Sequence, residues 1–287
     1  MEVTENSLRA PVNKIIPFSD VDGPGNRTAI FFQSCPFSCL YCHNPETIKM
    51  CVNCGVCVTQ CPAKALSFVD GKVKWNKDKC VSCDTCIHVC PNLSSPKITY
   101  MSVPDILSFI KKVRPFIRGI TVSGGECMNQ APFLLELFSA LREEDPLLSL
   151  LIDSNGNVNY RDYEPLIRLS DGVMLDVKAY DTEFHRLVCG KSNEIVLKNL
   201  DYLLSINKLE EVRTVILPHQ EKKNEYTVSH VARIIGSKCR YKLLKYRYFG
   251  VREAGLKMFG KGMCPEEELL RCQKIAFENG CETAVII

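Results

Sequence analysis

The chain has 287 residues, 36 basic against 33 acidic side chains for a formal net charge of +3, and 46 % apolar residues. That balance suits a globular protein with a sizeable core, and no apolar run approaches the roughly 20 residues of a membrane-spanning helix. Charge this close to neutral singles out no nucleic-acid or membrane-surface partner.

Seventeen cysteines would suggest a disulfide framework in a short secreted chain, but eleven of them fall between Cys35 and Cys90 in metal-ligand spacing. The other six, Cys127, Cys189, Cys239, Cys264, Cys272 and Cys281, share no motif and are expected to be reduced thiols. Met1 to Asn6 lacks a basic region followed by an apolar stretch, so no secretory leader is expected and the protein should be cytoplasmic.

In chain order, residues 1–34 read as a short lead-in, a turn from Asp22 to Arg27 and a buried strand from Thr28 to Phe32. The next loop carries Cys35, Cys39 and Cys42. Thiolates select zinc or iron–sulfur clusters, and a cubic cluster normally takes four. Three leave one iron open to a substrate or cofactor. A zinc knuckle with His43 as fourth ligand is the alternative, but the adjacent Cys42 and His43 would have difficulty pointing at one ion.

Residues 48–100 differ in composition from their surroundings. Cys51, Cys54, Cys57 and Cys61 precede Pro62, and Cys80, Cys83, Cys86 and Cys90 precede Pro91, an internal repeat that resembles the two-cluster bacterial ferredoxins. In that pattern the last cysteine of each run crosses to the other cluster. Cys51, Cys54, Cys57 and Cys90 are then one ligand set, and Cys61, Cys80, Cys83 and Cys86 the other. Two zinc ribbons would leave the third and fourth cysteines of each run without use. Asp70-Gly71 reads as the turn of a hairpin between the runs. The segment is expected to be an insertion into a larger domain made of residues 1–47 and 101–287.

From residue 101 strand and helix alternate, which argues for a parallel sheet or barrel. Candidate strands are Ile120–Ser123, Leu148–Asp153, Val173–Val177, Val212–Leu217 and Lys242–Tyr246, which with Thr28–Phe32 make six. Helical patterns cover 104–114, 131–143, 161–169, 194–206 and 224–236, and a last helix runs from Pro265 to Gly280. Function in such folds gathers at the carboxyl ends of the strands.

The spacing of Cys35, Cys39 and Cys42 with Tyr41, the upstream Asp22-Gly23-Pro24-Gly25-Asn26-Arg27 and the flank Tyr41-Cys42-His43-Asn44-Pro45 resemble the radical S-adenosylmethionine (SAM) superfamily. Within it they resemble the glycyl-radical-enzyme activating enzymes, of the pyruvate formate-lyase activase type. The resemblance implies an α/β fold, a partial (β/α)6 barrel with a small α+β ferredoxin-like insertion. It also implies three [4Fe–4S] clusters. The first, on Cys35, Cys39 and Cys42, would bind SAM through its open iron and cleave it reductively to methionine and a 5′-deoxyadenosyl radical. That radical would take a hydrogen from a backbone glycine of a partner enzyme, with reduced flavodoxin or ferredoxin as electron donor.

Further contacts to SAM implied by the resemblance are Tyr41, His43, Gly124, Gly125, Glu126, Asp176, Val177, Lys178 and Arg213, with the Asp22 turn helping to wall the pocket. Asp153, Ser154 and Asp176 would hold a monovalent cation beside the SAM carboxylate. Arg247 stands where the family often has a histidine. The basic and aromatic stretch from Arg240 to Lys261 also admits an RNA-modifying reading, although a solvated strand or a protein docking face accounts for it and no nucleic-acid partner is expected. A radical SAM enzyme of a small molecule or RNA, and a plain electron carrier, are the other functions to test.

Overall fold

The computed structural model describes residues 8–287; the stretch from Met1 to Asn6 on which the leader expectation rests lies outside them. The chain opens with β1 (Arg9–Ser19) and β2 (Arg27–Phe32). It then enters the cysteine-rich segment, which holds α1 (Val56–Gln60), the hairpin β3 (Leu66–Val69) and β4 (Lys72–Trp75), and α2 (Thr85–His88). After β5 (Thr99–Ser102) and α3 (Val103–Val113), strands and helices alternate through β6 (Gly119–Gly124), α4 (Ala131–Glu144), β7 (Ser149–Ser154), α5 (Glu164–Leu169) and β8 (Gly172–Asp176). Two helices follow, α6 (Thr182–Cys189) and α7 (Glu194–Ser205), then β9 (Leu209–Ile216), α8 (Glu221–Ile235) and β10 (Arg240–Lys245). The chain ends with α9 (Glu253–Phe259), α10 (Glu266–Glu278) and β11 (Ala284–Ile286).

Among the described residues nine strands form one sheet in the order β11-β10-β9-β8-β7-β6-β2-β1-β5. The six anticipated strands are its parallel centre, β2 through β10, and this open, curved run of βα units is the partial barrel. Three strands went unanticipated. β1 pairs antiparallel with both β2 and β5, and β11 adds parallel to β10. The helices cover the convex face, where Phe32 meets the Phe133 ring edge to face at 6.1 Å and Leu134, Leu137 and Phe138 are fully buried. In β2 and β6 the register sets Phe31 beside Ser123 on the opposite, concave face.

The Asp22–Arg27 turn lies at the amino ends of the parallel strands, the end opposite the Cys35 loop, and so departs from the expected wall of the pocket. Arg27 is fully buried and donates to Thr121 Oγ1 at 2.8 Å, Ile120 O at 2.5 Å and Ser149 O at 3.0 Å, while Thr121 Oγ1 donates to Asp22 O. A guanidinium that meets carbonyls and hydroxyls rather than a carboxylate is held down to a pKa of about 10 by burial. The turn is a plug in the barrel floor.

The cysteine-rich segment leaves and returns at neighbouring points, since Lys49 bridges to Ser94. Its hairpin turns on Asp70 and Gly71 with φ of 51° and 71°, as a two-residue turn matching strand twist requires. Among the described residues no helix is long and apolar enough to cross a membrane.

Candidate active site

The loop after β2 is fixed from three sides. Ser34 N donates to Thr47 O at 2.9 Å and Cys35 N to Ile48 O at 3.0 Å, which closes its base. On either side of Cys39, Ser38 N and Leu40 N donate to Cys189 O at 2.9 Å and Val188 O at 2.8 Å, two carbonyls that the end of α6 leaves without helical partners. Arg252, just before α9, donates to Ser38 O and Cys39 O, both at 3.0 Å. Neither α6 nor α9 was anticipated, although Asp181 and Gly190 are ordinary start and stop signals for α6.

The three thiols of the loop differ in environment. Burial pushes Cys35 up to about 12 and Cys42 up to about 11, while the Cys189 thiol, donating to Cys39, draws Cys39 down to about 7. Asn155 Nδ2 donates to Cys35 Sγ at 3.5 Å. Soft donors with an amide N–H already on one sulfur fit an iron–sulfur cluster. His43 Nε2 donates to the Arg247 carbonyl at 2.8 Å, which engages that ring nitrogen and removes it from the zinc-knuckle alternative. Arg247 thus meets the loop through its backbone, and its side chain is exposed. Tyr41 is buried edge-on to Phe259, and its hydroxyl has no hydrogen-bond partner among the described residues.

Gly124 and Gly125 end β6 against this loop. A Cβ on Gly125 would lie 2.5 Å from Ser34 O, and one on Gly124 2.2 Å from Phe32 N, so both positions exclude any side chain. Glu126 then turns inward, its carboxylate accepting from Met128 N at 3.0 Å, Ser154 Oγ at 2.7 Å and Asn155 N at 2.8 Å. It ties the end of β6 to the end of β7, and Asn155 in turn reaches Cys35.

Across the concave face runs a ladder of charges. Arg213 on β9 pairs with Asp153 at 2.9 Å and Glu211 at 2.6 Å, Asp153 also accepts from Ser123 Oγ at 2.9 Å, and Lys178 pairs with Asp176 at 2.9 Å. Burial lifts the Asp153 carboxyl, and Arg213 opposes that lift. Val177 is buried between, its N donating to Arg213 O and its carbonyl accepting from Thr214. Asp153 and Asp176, expected around a monovalent cation, are matched instead to Arg213 and Lys178, and among the described residues no three His, Cys, Asp or Glu side chains converge as a single-ion site. The basic stretch on β10 is largely internal too. Tyr241 and Tyr246 are buried, and Arg240 and Lys242 both pair with buried Glu211, while Arg247, Phe249, Lys257 and Lys261 further along the stretch are exposed.

The cysteine-rich segment is a repeat in conformation as well as in sequence. Cysteines at 51, 54, 57 and 61 recur 29 positions later at 80, 83, 86 and 90. The left-handed residues Asn53, Gly55 and Lys64 recur at the same offset as Ser82, Asp84 and Leu93. Such turns point successive N–H groups into anion-binding concavities. The thiols sort into two groups in the crossed pattern. Cys51, Cys54, Cys57 and Cys90 line one small pocket, and Cys61, Cys80, Cys83 and Cys86 line another. Asn53 N donates to Cys51 Sγ and Ala65 N to Cys61 Sγ, at 3.4 and 3.3 Å. Each group fits a [4Fe–4S] cluster.

Residues 29–230 match the Radical SAM superfamily model. The chain is 33 % identical over 212 residues to the trans-4-hydroxy-L-proline dehydratase activating enzyme of Clostridioides difficile, a match covering 68 % of this chain and 70 % of that one. It is 27 % identical to the pyruvate formate-lyase-activating enzyme of Streptococcus mutans, covering 88 % and 85 %. Among solved structures, QueE from Escherichia coli aligns over 100 % of this chain and 99 % of its own with a TM-score of 0.53 at 14 % identity, a likeness of fold alone. A Radical SAM match across most of the chain, joined to these relatives, makes this chain a member of the radical SAM superfamily and, within it, of the glycyl-radical-enzyme activating enzymes, which use SAM and a [4Fe–4S] cluster.

Proposed function

We propose that this activating enzyme works with three [4Fe–4S] clusters, one on Cys35, Cys39 and Cys42 and two in a ferredoxin-like unit spanning residues 48–100, through which electrons reach the first. The observation that carries the reading is the sorting of eight thiols into two crossed groups, each around its own pocket and repeated in backbone conformation. When bound, the cluster of the Cys35 loop supplies the electron that cleaves SAM. The protein's part is to orient SAM and exclude water. Gly124 and Gly125 bring the β6 backbone against the loop, Glu126 after β6 and Asn155 after β7 brace it, and Asp176, Lys178 and Arg213 offer charges to the amino and carboxylate groups of SAM. Tyr41, His43, Val177 and Arg247 shape the same mouth.

The electron donor in this reading is an acidic redox protein such as flavodoxin or ferredoxin. Residues 48–100 hold seven lysines against three aspartates, a net +4 in a chain of net +3. Lys72, Lys74 and Lys77 line a groove that also reaches Cys51. Lysines so placed favour an acidic surface and speed its encounter at low salt.

The test is anaerobic reduction of the iron-loaded protein with SAM and candidate glycyl radical enzymes, followed by EPR. A SAM-dependent doublet on the partner is expected, and Cys39→Ala should abolish both the doublet and 5′-deoxyadenosine. Full SAM cleavage by Cys39→Ala would refute the assignment of the catalytic loop.

A further inference from the structure

The inserted unit also faces the barrel interior. A cavity of about 510 Å³ has Lys14 of β1 and Gly124 of β6 on one side, Glu46 of the cysteine loop at its rim, and Trp75, Asp84 and Lys97 of the insertion opposite. The strand register puts Lys14 beside Phe31 and Phe31 beside Ser123, so this space opens onto the concave face that also carries Asp153 and Arg213. Its volume lies within the ordinary range of a binding site, about 300–1,000 Å³.

A partner glycine must approach SAM from some direction, and among the described residues several approaches are filled. The floor is plugged by Arg27 and the Asp22 turn. The mouth is covered by the cysteine loop, braced by α6 and Arg252. At the far edge Tyr246 and Phe259 pack together, buried. The side between β1 and the insertion has a cavity that adjoins Gly124 and the concave face.

We propose that the glycine-bearing segment of the partner enzyme enters between β1 and the inserted unit, so that Trp75, Asp84 and Lys97 help decide which partner is accepted. This rests on the activating-enzyme assignment and gives the insertion a role beyond electron supply. Asp84 and Lys97 form an ion pair, and Trp75, the sole tryptophan of the chain, presents a flat apolar face between this cavity and the lysine groove. A charged pair beside a large ring can select among segments by the residues that flank the glycine.

The experiment uses the full, iron-loaded protein with SAM. The probes are short peptides copied from the glycine segments of pyruvate formate-lyase, trans-4-hydroxy-L-proline dehydratase and choline trimethylamine-lyase, each with p-benzoylphenylalanine beside the glycine. After illumination, mass spectrometry is expected to find adducts within residues 72–97 and in β1. Lys97→Glu and Lys14→Glu should each raise the peptide concentration giving half-maximal radical formation by about tenfold while the half-saturating SAM concentration stays put. Iron content and the visible spectrum check that the clusters are retained. If Lys97→Glu loses iron, Lys14→Glu, on a barrel strand, decides alone.

Adducts confined to β10, α9 and the loops between them would overturn the proposal, as would half-saturation by peptide within twofold of the parent in an iron-replete variant. A glycyl radical doublet in those same samples would leave the activating reaction standing. Absence of any doublet, on peptides and on full-length partners, with SAM cleaved normally, would remove the activating reaction and the entry route together.

Discussion

Glu126 shows how a site residue can be read correctly as important while its contacts stay hidden. The glycine pair before it signals close backbone approach, and that much is visible in Ser123-Gly124-Gly125-Glu126. Its partners, Ser154 and Asn155, lie 28 and 29 positions away, and only the parallel pairing of β6 with β7 joins them. Burial lifts this carboxyl to about 7, and three donors favour its ionised form. Glu126→Gln keeps the shape but turns an NH₂ group toward one of those donors. The buried N–H or O–H left without an acceptor should cost about 1–3 kcal/mol, read as a lowered denaturant midpoint of the anaerobic protein. Nothing in the sequence marks Cys189 or Arg252 either, because each acts on the Cys39 loop from about 150 or more positions away.

Elements were legible where one strand or helix carries its own pattern. The six parallel strands are buried on both faces and read as short apolar runs, and α3 and α4 have clear apolar stripes. β1 has neither advantage. It contains Pro11 and Pro17, residues that mark breaks or edges, and it exists because β2 and β5 supply partners on both sides. At the start of α3 a local signal does survive. Ser102 Oγ accepts from Asp105 N while Asp105 accepts from Ser102 N at 2.9 Å, a reciprocal cap. Ser102→Ala should cost about 1 kcal/mol near neutral pH. These bonds hold the Asp105 carboxyl below its usual 3.8, so its contribution is present above that value and is lost as pH falls through the lower, folded one. The gap between the parent and Ser102→Ala in urea melts should therefore narrow below pH 3.8, and a gap that widened on acidification would contradict the cap.

At the scale of the molecule, the proposed division is into two units that meet at a narrow neck, where Lys49 bridges to Ser94. The cysteine spacing announces the smaller one, because a repeat of eight thiols has few structural uses, but spacing says nothing of which way that unit faces. Its orientation follows from Lys49 meeting Ser94 and from Trp75, Asp84 and Lys97 turning toward the concave face. The narrow neck makes the division testable. Replacing residues 51–93 by a short glycine-serine linker preserves Lys49, Ser94 and the pairing of β5 with β1; it removes the Asp84–Lys97 ion pair and small apolar contacts around Cys57, Leu66 and Cys86 that are separate from the main core. The shortened protein should keep the far-UV circular dichroism of the barrel, and its iron should fall from about twelve to about four per chain, one cluster's worth. With a chemical reductant it should still cleave SAM, since the Cys35 loop and its braces are intact; with reduced flavodoxin as the source of electrons, cleavage should fall steeply. Retained flavodoxin-driven cleavage would show that electrons reach the Cys35 loop without the insertion. Loss of the barrel's dichroism would instead make the 48–100 segment part of the same folding unit.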